Sequence, residues 1–213
     1  SGERLAAGEP FLRAEGTAAA LHMAWKVSLN LCDHLSGVAT KTRAIVDAAH
    51  SANPACEVLT TRKSMPGVKD LLTKAVTCGG AFPHRLGASE TVLVFDHHIT
   101  FMGGFEAFLG ALPALRGRCV EKKLFVEAGP DEARRLAEAG VDGIQLDKMP
   151  VDDLAALVPE LRAIDPHLTL IAAGGINLQN AAAYAATGVD GLATTAPFTA
   201  KPIDMSVRMK RAE

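Results

Sequence analysis

Residues 60–87 read TTRKSMPGVKDLLTKAVTCGGAFPHRLG and place two pairs of cations on either side of a segment long enough for one helix. The first pair, Arg62 and Lys63, follows an apolar run that is typical of a buried strand. A Pro-Gly turn then leads to a helical pattern, which two glycines end before the second pair, His84 and Arg85. This order predicts a strand, a crossover helix and a loop of an α/β sheet, with cations at the joints.

The positions of the two pairs predict an anion site. In a parallel α/β fold the residues that follow the strands gather on one rim, so the pairs are expected to face a common ligand. A guanidinium binds two oxygens of a carboxylate or phosphate at once, and an ammonium supplies a point charge. The expected ligand is a small molecule with two anionic groups. The alternative is that all four are surface cations paired with scattered Asp and Glu residues.

The rest of the chain alternates between helical patterns and short apolar runs. The expected strands span residues 91–95, 124–126, 143–146, 168–172 and 191–193, and the expected helices span residues 105–115, 131–139, 151–163 and 178–187. This strict succession, with Gly or Pro at the joints, predicts a parallel sheet with crossover helices. The number of strands favours a barrel or a partial barrel over an open sheet.

Both ends of the chain carry patterns outside this alternation. Two helices, 17–35 and 38–52, are expected before the first strand, because a Ser-Gly pair interrupts a long helical pattern. A short strand is expected at residues 11–14. Apolar and polar residues alternate over 203–208, which predicts a half-buried strand there.

Composition and charge bound the class of protein. With 48% hydrophobic residues among 213, the chain has enough apolar surface for a substantial core. A formal net charge of −2 provides no global field for nucleic acid or an anionic membrane, so neither partner is expected and any anion site is local. The four cysteines lack metal-ligand spacing and are interpreted as reduced, mostly buried thiols. Without a visible signal peptide or membrane span, the prediction is a cytoplasmic protein.

Two carboxylates end successive predicted strands. Glu127 and Asp147 are expected to approach one point of the rim, where their hard oxygens suit Mg²⁺ that is shared with substrate phosphates. The alternative is a pair of solvated strand-end acids. His97 and His98 are not expected to bind a metal, because adjacent strand residues point to opposite faces and no third ligand is suitably spaced.

Two loops after the last strands predict a phosphate site. Gly174 and Gly175 precede a helix whose expected cap is Asn177, so backbone N–H groups are expected to point at an anion. The segment after the last strand, Thr194-Thr195-Ala196, offers a second set of amides and hydroxyls. Paired loops of this kind at the end of a barrel often bind phosphate.

Four motifs in this order, TRKSMPG, GGAFPHRLG, QLDK and AAGGI, resemble the quinolinate phosphoribosyltransferase family, and within it the ModD branch, which is associated with molybdenum transport. The resemblance runs along nearly the whole chain and implies an incomplete α/β barrel over residues 26–202. It also implies that residues 1–25 are the tail of an N-terminal α/β sandwich domain whose start lies outside this sequence. Residues 203–213 would then form a strand that returns to that domain.

The same resemblance implies a pentosyltransferase that joins a nitrogen heteroaromatic acid to phosphoribosyl pyrophosphate, releases pyrophosphate and uses Mg²⁺. The implied roles are pyrophosphate binding by Lys63, acceptor binding by Arg62, His84 and Arg85, ribose and metal binding by Glu127 and Asp147, and 5′-phosphate binding by Gly174, Gly175 and Thr195. Lys26 stands where family members carry an Arg that reaches into the neighbouring subunit's site. It therefore implies a homodimer or higher oligomer with shared active sites.

Phe95 departs from the family pattern. VLIKDNH becomes VLVFDHH in this sequence, so Phe95 replaces a lysine that binds one carboxylate of quinolinate in the family. A phenyl ring leaves that carboxylate without a counter-charge, at a cost on the order of several kcal/mol. Phe95 is therefore expected to line the acceptor pocket and to make quinolinate a poor substrate.

Two alternative functions stay open at this point. The first is quinolinate phosphoribosyltransferase of NAD biosynthesis, with decarboxylation, which Phe95 and Lys26 disfavour. The second is a non-catalytic binder of an oxyanion or nucleotide. Because such a receptor needs only one cation cluster, the presence of donor-side and acceptor-side cations favours an enzyme.

Overall fold

A computed structural model describes residues 1–87 and 90–211. Seven parallel strands form one sheet in the order β2-β1-β7-β6-β5-β4-β3. The strands are β1 (Glu57–Thr60), β2 (Phe82–Pro83), β3 (Val92–Val94), β4 (Leu124–Glu127), β5 (Gly143–Asp147), β6 (Thr169–Ala173) and β7 (Gly191–Thr194). The helices are α1 (Ala18–Ala52), α2 (Lys69–Cys78), α3 (Asp96–Phe101), α4 (Phe105–Arg118), α5 (Pro130–Glu138), α6 (Val151–Ile164) and α7 (Ala181–Ala186), followed by a 3₁₀ turn (Ala196–Thr199).

The sheet is curled and has two differently packed faces. Strand residues two apart point to the same side, so each strand contributes to both faces. One face packs on the helices and forms the larger core. The other forms a small interior cluster, whose members are Leu93, Phe125, Ile171, Ala173 and Ala193, with Leu59 and Phe95 packed against it.

A glycine makes room for the aromatic ring among the buried members of that cluster. A Cβ added at Gly143 would lie 2.2 Å from the Phe125 ring, which is much closer than two carbon atoms can approach. The Phe125 ring therefore lies over the backbone of the neighbouring strand, and it fills the interior as side chains fill a small barrel.

The barrel is incomplete. Within the described residues, β2 and β3 are the two outer strands and do not pair with each other, which leaves a seam between them. The predicted fold class, an incomplete parallel α/β barrel, is confirmed. The chain segment that carries His84 and Arg85 begins at this seam, directly after β2.

The two helices expected before the first strand are one helix, so that prediction was wrong. α1 continues through Ser36 and Gly37, and Gly37 is buried. A Cβ at Gly37 would lie 2.3 Å from the backbone O of Lys201, so the glycine allows the end of the chain to cross the helix. The residue serves close packing of the backbone, and it does not break the helix.

The strands expected at 11–14 and 203–208 do not form in the described residues. The backbone N–H of Ile203 instead donates to Asp33 O at 3.0 Å, and that of Met205 to Asp33 Oδ1 at 3.1 Å. This segment thus lies on α1, and a strand needs a neighbouring strand that this part of the chain does not supply. The division of the chain into a sandwich tail, a barrel and a returning segment stays a prediction.

Two further findings concern membrane crossing and the cysteines. No helix in the described ranges combines the length and the apolarity that a membrane crossing requires. All four cysteines are free, as predicted, but only Cys56 is fully buried; the other three are half-buried, so the expectation of mostly buried thiols was wrong. Burial, with the nearby charges of Asp190 and Glu57, raises the pKa of the Cys56 thiol to about 12, so this thiol stays protonated at neutral pH.

Candidate active site on the carboxyl rim of the sheet

The predicted site residues follow or end the strands, all on the carboxyl rim. Because every strand is parallel, the residues after each strand share this rim. They are Arg62 and Lys63 after β1, His84 and Arg85 after β2, Phe95 after β3, Glu127 and Asp147 at the ends of β4 and β5, Gly174 and Gly175 after β6, and Thr195 after β7.

Glu127 and Asp147 are close enough for the charge of Asp147 to act on Glu127. Glu127 accepts a hydrogen bond of 2.5 Å from Gln145 Nε2, and the two residues face each other in the register of β4 and β5. Burial raises the pKa of Glu127, the Gln145 hydrogen bond opposes that rise, and the charge of Asp147 adds to it. Lys63 and Lys148 lower the same pKa, so the charges of two lysines act on Glu127.

These two carboxylates fit a magnesium ion of the expected kind. The described residues contain no group of three His, Cys, Asp or Glu side chains that could form a cage made only of protein ligands. Mg²⁺ bound with a phosphorylated substrate usually takes one or two carboxylates and completes its shell with phosphates and water. Glu127 and Asp147, at the ends of the neighbouring strands β4 and β5, would supply the two carboxylates for such an ion.

Gly174 lies directly against Asp147 and the residue that follows it. A Cβ at Gly174 would lie 2.8 Å from Asp147 Oδ1 and 2.7 Å from the backbone N of Lys148. Its φ of 87° is also in the left-handed region that favours glycine. The glycine loop and the Asp147 carboxylate therefore form one continuous surface.

The glycine loop after β6 has amides free for a ligand, but the helix that follows it begins later than expected. α7 begins at Ala181 with Asn180 as its N-cap, so the expected cap at Asn177 was wrong. The side-chain amides of Asn177 and Asn180 instead donate to Gly175 O, at 3.0 and 3.2 Å. Within the described residues no hydrogen bond uses the N–H of Gly174 or Gly175, so both are available to an anion.

The loop after β7 is partly occupied by its own hydrogen bonds. The hydroxyl of Thr194 donates to Ile176 O at 2.6 Å and accepts from the Ala196 N–H at 3.0 Å. The expectation that this whole loop offers groups to a ligand is therefore too broad. Thr195 itself is half-buried at the rim.

The cations on the β1–β2 side face one another. The charge of Arg62 acts with burial to lower the pKa of Arg85, and the pKa of His84 is lowered by burial and by Arg85. Within the described residues, none of Arg62, Lys63 and Arg85 forms a side-chain ion pair or hydrogen bond. The alternative that each of these three cations is paired with a surface acid is therefore excluded. Clustered cations without such partners attract an anionic ligand.

A cavity of about 220 Å³ opens beside these cations. Arg62 and Arg85 line it together with Lys69, and hydroxyl side chains line it from Thr61 and Ser64. Its apolar wall comes from Leu72, Pro83, Leu86 and Phe198. The cavity combines cations with an apolar wall, which suits an aromatic acid. His84 and Phe95, which were expected at the acceptor pocket, do not line it.

Phe95 lies among cationic and aromatic groups. The Arg85 guanidinium carbon is 5.5 Å from the centre of the Phe95 ring, and the His97 ring stacks on it at 5.6 Å. His98 Nδ1 accepts a hydrogen bond of 3.0 Å from the Phe95 N–H. His97 and His98 belong to α3, so the argument that they occupy a strand was wrong, although no metal-ligand group of three forms among the described residues.

Lys26 is not joined to the rim within one chain. It lies on the exposed N-terminal half of α1, and its Nζ is 5.3 Å from the centre of the Trp25 ring. Met23, Val27 and Leu31 form an exposed apolar stripe on the same stretch of helix, with 80%, 63% and 44% of their surfaces accessible. The expected role of Lys26 across an interface stays a prediction.

Two polar residues at the site were missed in the sequence. Gln145 is buried and holds Glu127, and Lys148 lies next to Asp147 with a Nζ–Oδ2 distance of 3.6 Å. A polar residue two positions before Asp147 in an otherwise apolar strand points to the same interior face. That alternation is the signal that could have identified Gln145.

The chain is similar to known proteins over most of its length. A family model described as "Quinolinate phosphoribosyl transferase, C-terminal domain" matches residues 38–208. The "Putative pyrophosphorylase ModD" of Rhodobacter capsulatus is 44% identical over 183 residues, which cover 85% of this chain and 70% of that protein. The nicotinate-nucleotide pyrophosphorylase (carboxylating) of Mycobacterium leprae is 38% identical over 197 residues, with coverages of 92% and 67%.

A solved structure shows the same architecture. The crystal structure of NadC from Streptococcus pyogenes matches with a TM-score of 0.86 and 28% identity, and the match covers 98% of this chain and 71% of that one. The similarity therefore extends over the whole half-barrel and the rim that carries the candidate site.

Proposed function

Because the chain belongs to the quinolinate phosphoribosyl transferase family and is a phosphoribosyltransferase-like enzyme, we propose that it transfers the phosphoribosyl group of phosphoribosyl pyrophosphate to the ring nitrogen of a heteroaromatic acid. The nitrogen forms a bond to C1 of the ribose while the bond from C1 to the pyrophosphate oxygen breaks. The electron pair of that bond leaves with the pyrophosphate. The observation that carries the proposal is a single rim with unpaired cations on one side and carboxylates with free loop amides on the other.

Different residues of the chain would bind the different parts of the donor. Glu127 and Asp147 would hold the ribose and Mg²⁺, and the amides of Gly174 and Gly175, with Thr195, would hold the 5′-phosphate. Lys63, whose charge acts on Glu127, would bind the pyrophosphate. Bound Mg²⁺ would stabilise the charge that develops on the leaving group.

The acceptor would occupy the cation side. Arg62 and Arg85 line the cavity and would bind a carboxylate of the acceptor. His84 is disfavoured as a cation by its burial and by Arg85, so at neutral pH it would act as a neutral hydrogen-bonding group. A Phe95 ring in contact with Arg85 offers no second counter-charge, which supports an acceptor with one carboxylate over quinolinate.

Ligand-induced stabilisation and product formation test this proposal together. Millimolar phosphoribosyl pyrophosphate with Mg²⁺ should raise the melting temperature, because a ligand that binds only the native state stabilises it. Asp147→Ala should lose the shift, whereas Asp153→Ala, on the exposed face of α6, should keep it. Pyridine monocarboxylates should then give pyrophosphate release with the parent protein.

Three outcomes would contradict the proposal. A parent protein that shows no shift with the donor, and behaves like Asp147→Ala, is not this enzyme. A shift with molybdate alone would favour the non-catalytic oxyanion binder and give the link to molybdenum transport a physical basis. Robust turnover of quinolinate would instead place the chain in NAD biosynthesis.

We further propose a cytoplasmic homodimer or higher oligomer in which Lys26 reaches the neighbouring active site. The exposed stripe of Met23, Val27 and Leu31 supports this, because an apolar stripe of this kind on a helix suits burial against another protein surface. Sedimentation should give a species larger than a monomer, and Val27→Glu should shift it towards the monomer. A monomeric parent at all concentrations would contradict the shared site.

A further inference from the structure

Lys148 has an unusual backbone conformation at the centre of the site. With φ of 54°, it is the only residue other than glycine with a positive φ in the described part of the chain. A side chain with a Cβ disfavours this conformation, and residues that keep it cluster at ligand sites. A glycine or an asparagine would adopt it more easily, so the lysine side chain itself requires an explanation.

The surrounding chain holds Lys148 in this conformation. Its N–H donates to Ala173 O at 2.8 Å, which extends the hydrogen-bond ladder of β5 and β6 by one residue. The chain then turns through the buried Met149 to Pro150, the N-cap of α6. The direction of the Lys148 side chain is therefore set by the end of the sheet and not by a flexible loop.

The side chain connects the two parts of the expected donor site. Its Nζ lies 3.6 Å from Asp147 Oδ2, and a Cβ at Gly174 would lie 2.5 Å from its Cγ. Its charge also lowers the pKa of Glu127. The ammonium group thus lies beside the carboxylates, and its methylene chain runs along the glycine loop.

The ammonium group is free to move towards a ligand. The side chain of Lys148 is 82% exposed and that of Asp147 is 34% exposed, so their ion pair is open to water and weak. A phosphate monoester carries close to two negative charges at neutral pH, and three oxygens that accept hydrogen bonds. Such a group in the glycine loop attracts the ammonium more strongly than one exposed carboxylate does.

We propose that Lys148 binds the phosphate monoester of the donor, together with the amides of Gly174 and Gly175, an inference that rests on the proposed function. In the free protein Lys148 pairs with Asp147. When the phosphate enters the loop, the ammonium group moves to it and leaves the Asp147 carboxylate for the ribose hydroxyls and the metal. The phosphate thereby prepares the carboxylate that holds the rest of the donor.

Calorimetric titration of the full chain with separate parts of the donor tests this role. Lys148→Asn removes the charge and keeps a residue that tolerates a positive φ. Its affinity for ribose 5-phosphate should fall about tenfold, by the loss of one charge-assisted contact. Its affinity for pyrophosphate should change less than about twofold, and Lys148→Arg should restore most of the ribose 5-phosphate binding. The matched control is Lys123→Asn, an exposed lysine before β4 at the opposite end of the strands.

The outcomes separate this inference from the proposed function. If the parent binds ribose 5-phosphate and Lys148→Asn binds it equally well, Lys148 has no phosphate role and the enzyme proposal stands. A selective loss of pyrophosphate binding would also overturn the inference, because it would place Lys148 at the leaving group. If the parent binds neither compound, the proposed function fails and the role of Lys148 fails with it.

Discussion

The cation side of the rim and its carboxylate–glycine side are held in place by different parts of the chain. Arg62 and Arg85 stand on segments that follow short strands, and in the described residues no side-chain hydrogen bond fixes either of them. On the other side, Asp147 is packed against the backbone of Gly174, and Glu127 is held by Gln145. The carboxylate–glycine side is therefore held by backbone packing and by one side-chain hydrogen bond, whereas the described residues show no such hold on the cation side.

This difference predicts which side of the rim tolerates substitutions and which side does not. We expect that replacing a side chain on the cation side alters ligand binding with little effect on the fold. A substitution on the carboxylate–glycine side disturbs the sheet ends themselves. We therefore expect donor recognition to be rigid and acceptor recognition to be adjustable, and three measurements test that contrast.

The largest effect is expected from Gly174→Ala. The new Cβ would overlap the Lys148 backbone and the Asp147 carboxylate and would force an alanine into a left-handed φ of 87°. We expect a loss of about 2–4 kcal/mol in the free energy of unfolding, measured in urea, together with loss of donor binding.

Gly175→Ala is the matched control for this measurement. It has φ of 72° but open space around the added Cβ, so it should lose only about 1 kcal/mol, from backbone strain alone. Equal losses in the two variants would show that packing against Asp147 does not fix the donor side.

An intermediate effect is expected from Phe95→Lys on the cation side. The new ammonium would supply a counter-charge for a second carboxylate, worth roughly 1.5–3 kcal/mol, or about 10- to 100-fold in quinolinate affinity. The Arg85 guanidinium near the Phe95 ring repels a second cation, so the gain should lie near the lower limit. Pyrophosphate release with quinolinate, compared between parent and variant, measures it.

Phe95→Leu controls for loss of the ring without gain of charge. It should leave quinolinate turnover as low as in the parent. A leucine variant that gains as much as the lysine variant would mean that ring size, and not charge, excludes quinolinate. The unfolding free energy of both variants should stay within about 1 kcal/mol of the parent if the cation side is adjustable.

The smallest effect concerns the pH dependence of stability at His84. Burial first, and then Arg85, lowers the pKa of His84, so the folded state favours its neutral form. The stability gained from this is present above the ordinary pKa near 6.5 and is lost as the pH falls through the lowered value. Urea unfolding at pH 7.5, 6.5 and 5.5 should show a smaller decline for His84→Gln, by less than about 1 kcal/mol.

His167→Gln provides the reference, because His167 is exposed on the surface. The unfolding free energy of this variant should decline with falling pH in the same way as that of the parent. If His84→Gln also follows the parent, then His84 is not held neutral by its surroundings. A steeper decline for His84→Gln would reverse the sign of its contribution.

The alternation of strands and helices could be predicted from the sequence because each element carries its own period. Glu127 and Asp147 could be placed at strand ends for the same reason, and the motifs around Arg62 and His84 carried the family resemblance. Local patterns of this kind require no knowledge of distant contacts. The fold class and the position of most site residues therefore followed from residues close together in the chain.

The errors concern residues whose role is set by a distant partner. Gly37 looks like a helix breaker until the backbone of Lys201 is found against it. β2 has only two residues and exists because it pairs with β1, so no local pattern marks it. The conformation of Lys148 follows from its bond to Ala173 on the next strand. Sequence periodicity contains none of these long-range constraints.

The seam between β2 and β3 has a consequence for association between copies of the protein. An incomplete barrel leaves two sheet edges, and an open edge is a template for pairing with a strand of another molecule, which leads to aggregation. β2 offers only Phe82 and Pro83, and the proline has no N–H to donate, while β3 is three residues long. Edges this short support few intermolecular hydrogen bonds, so the barrel can stay open without becoming a seed for fibres.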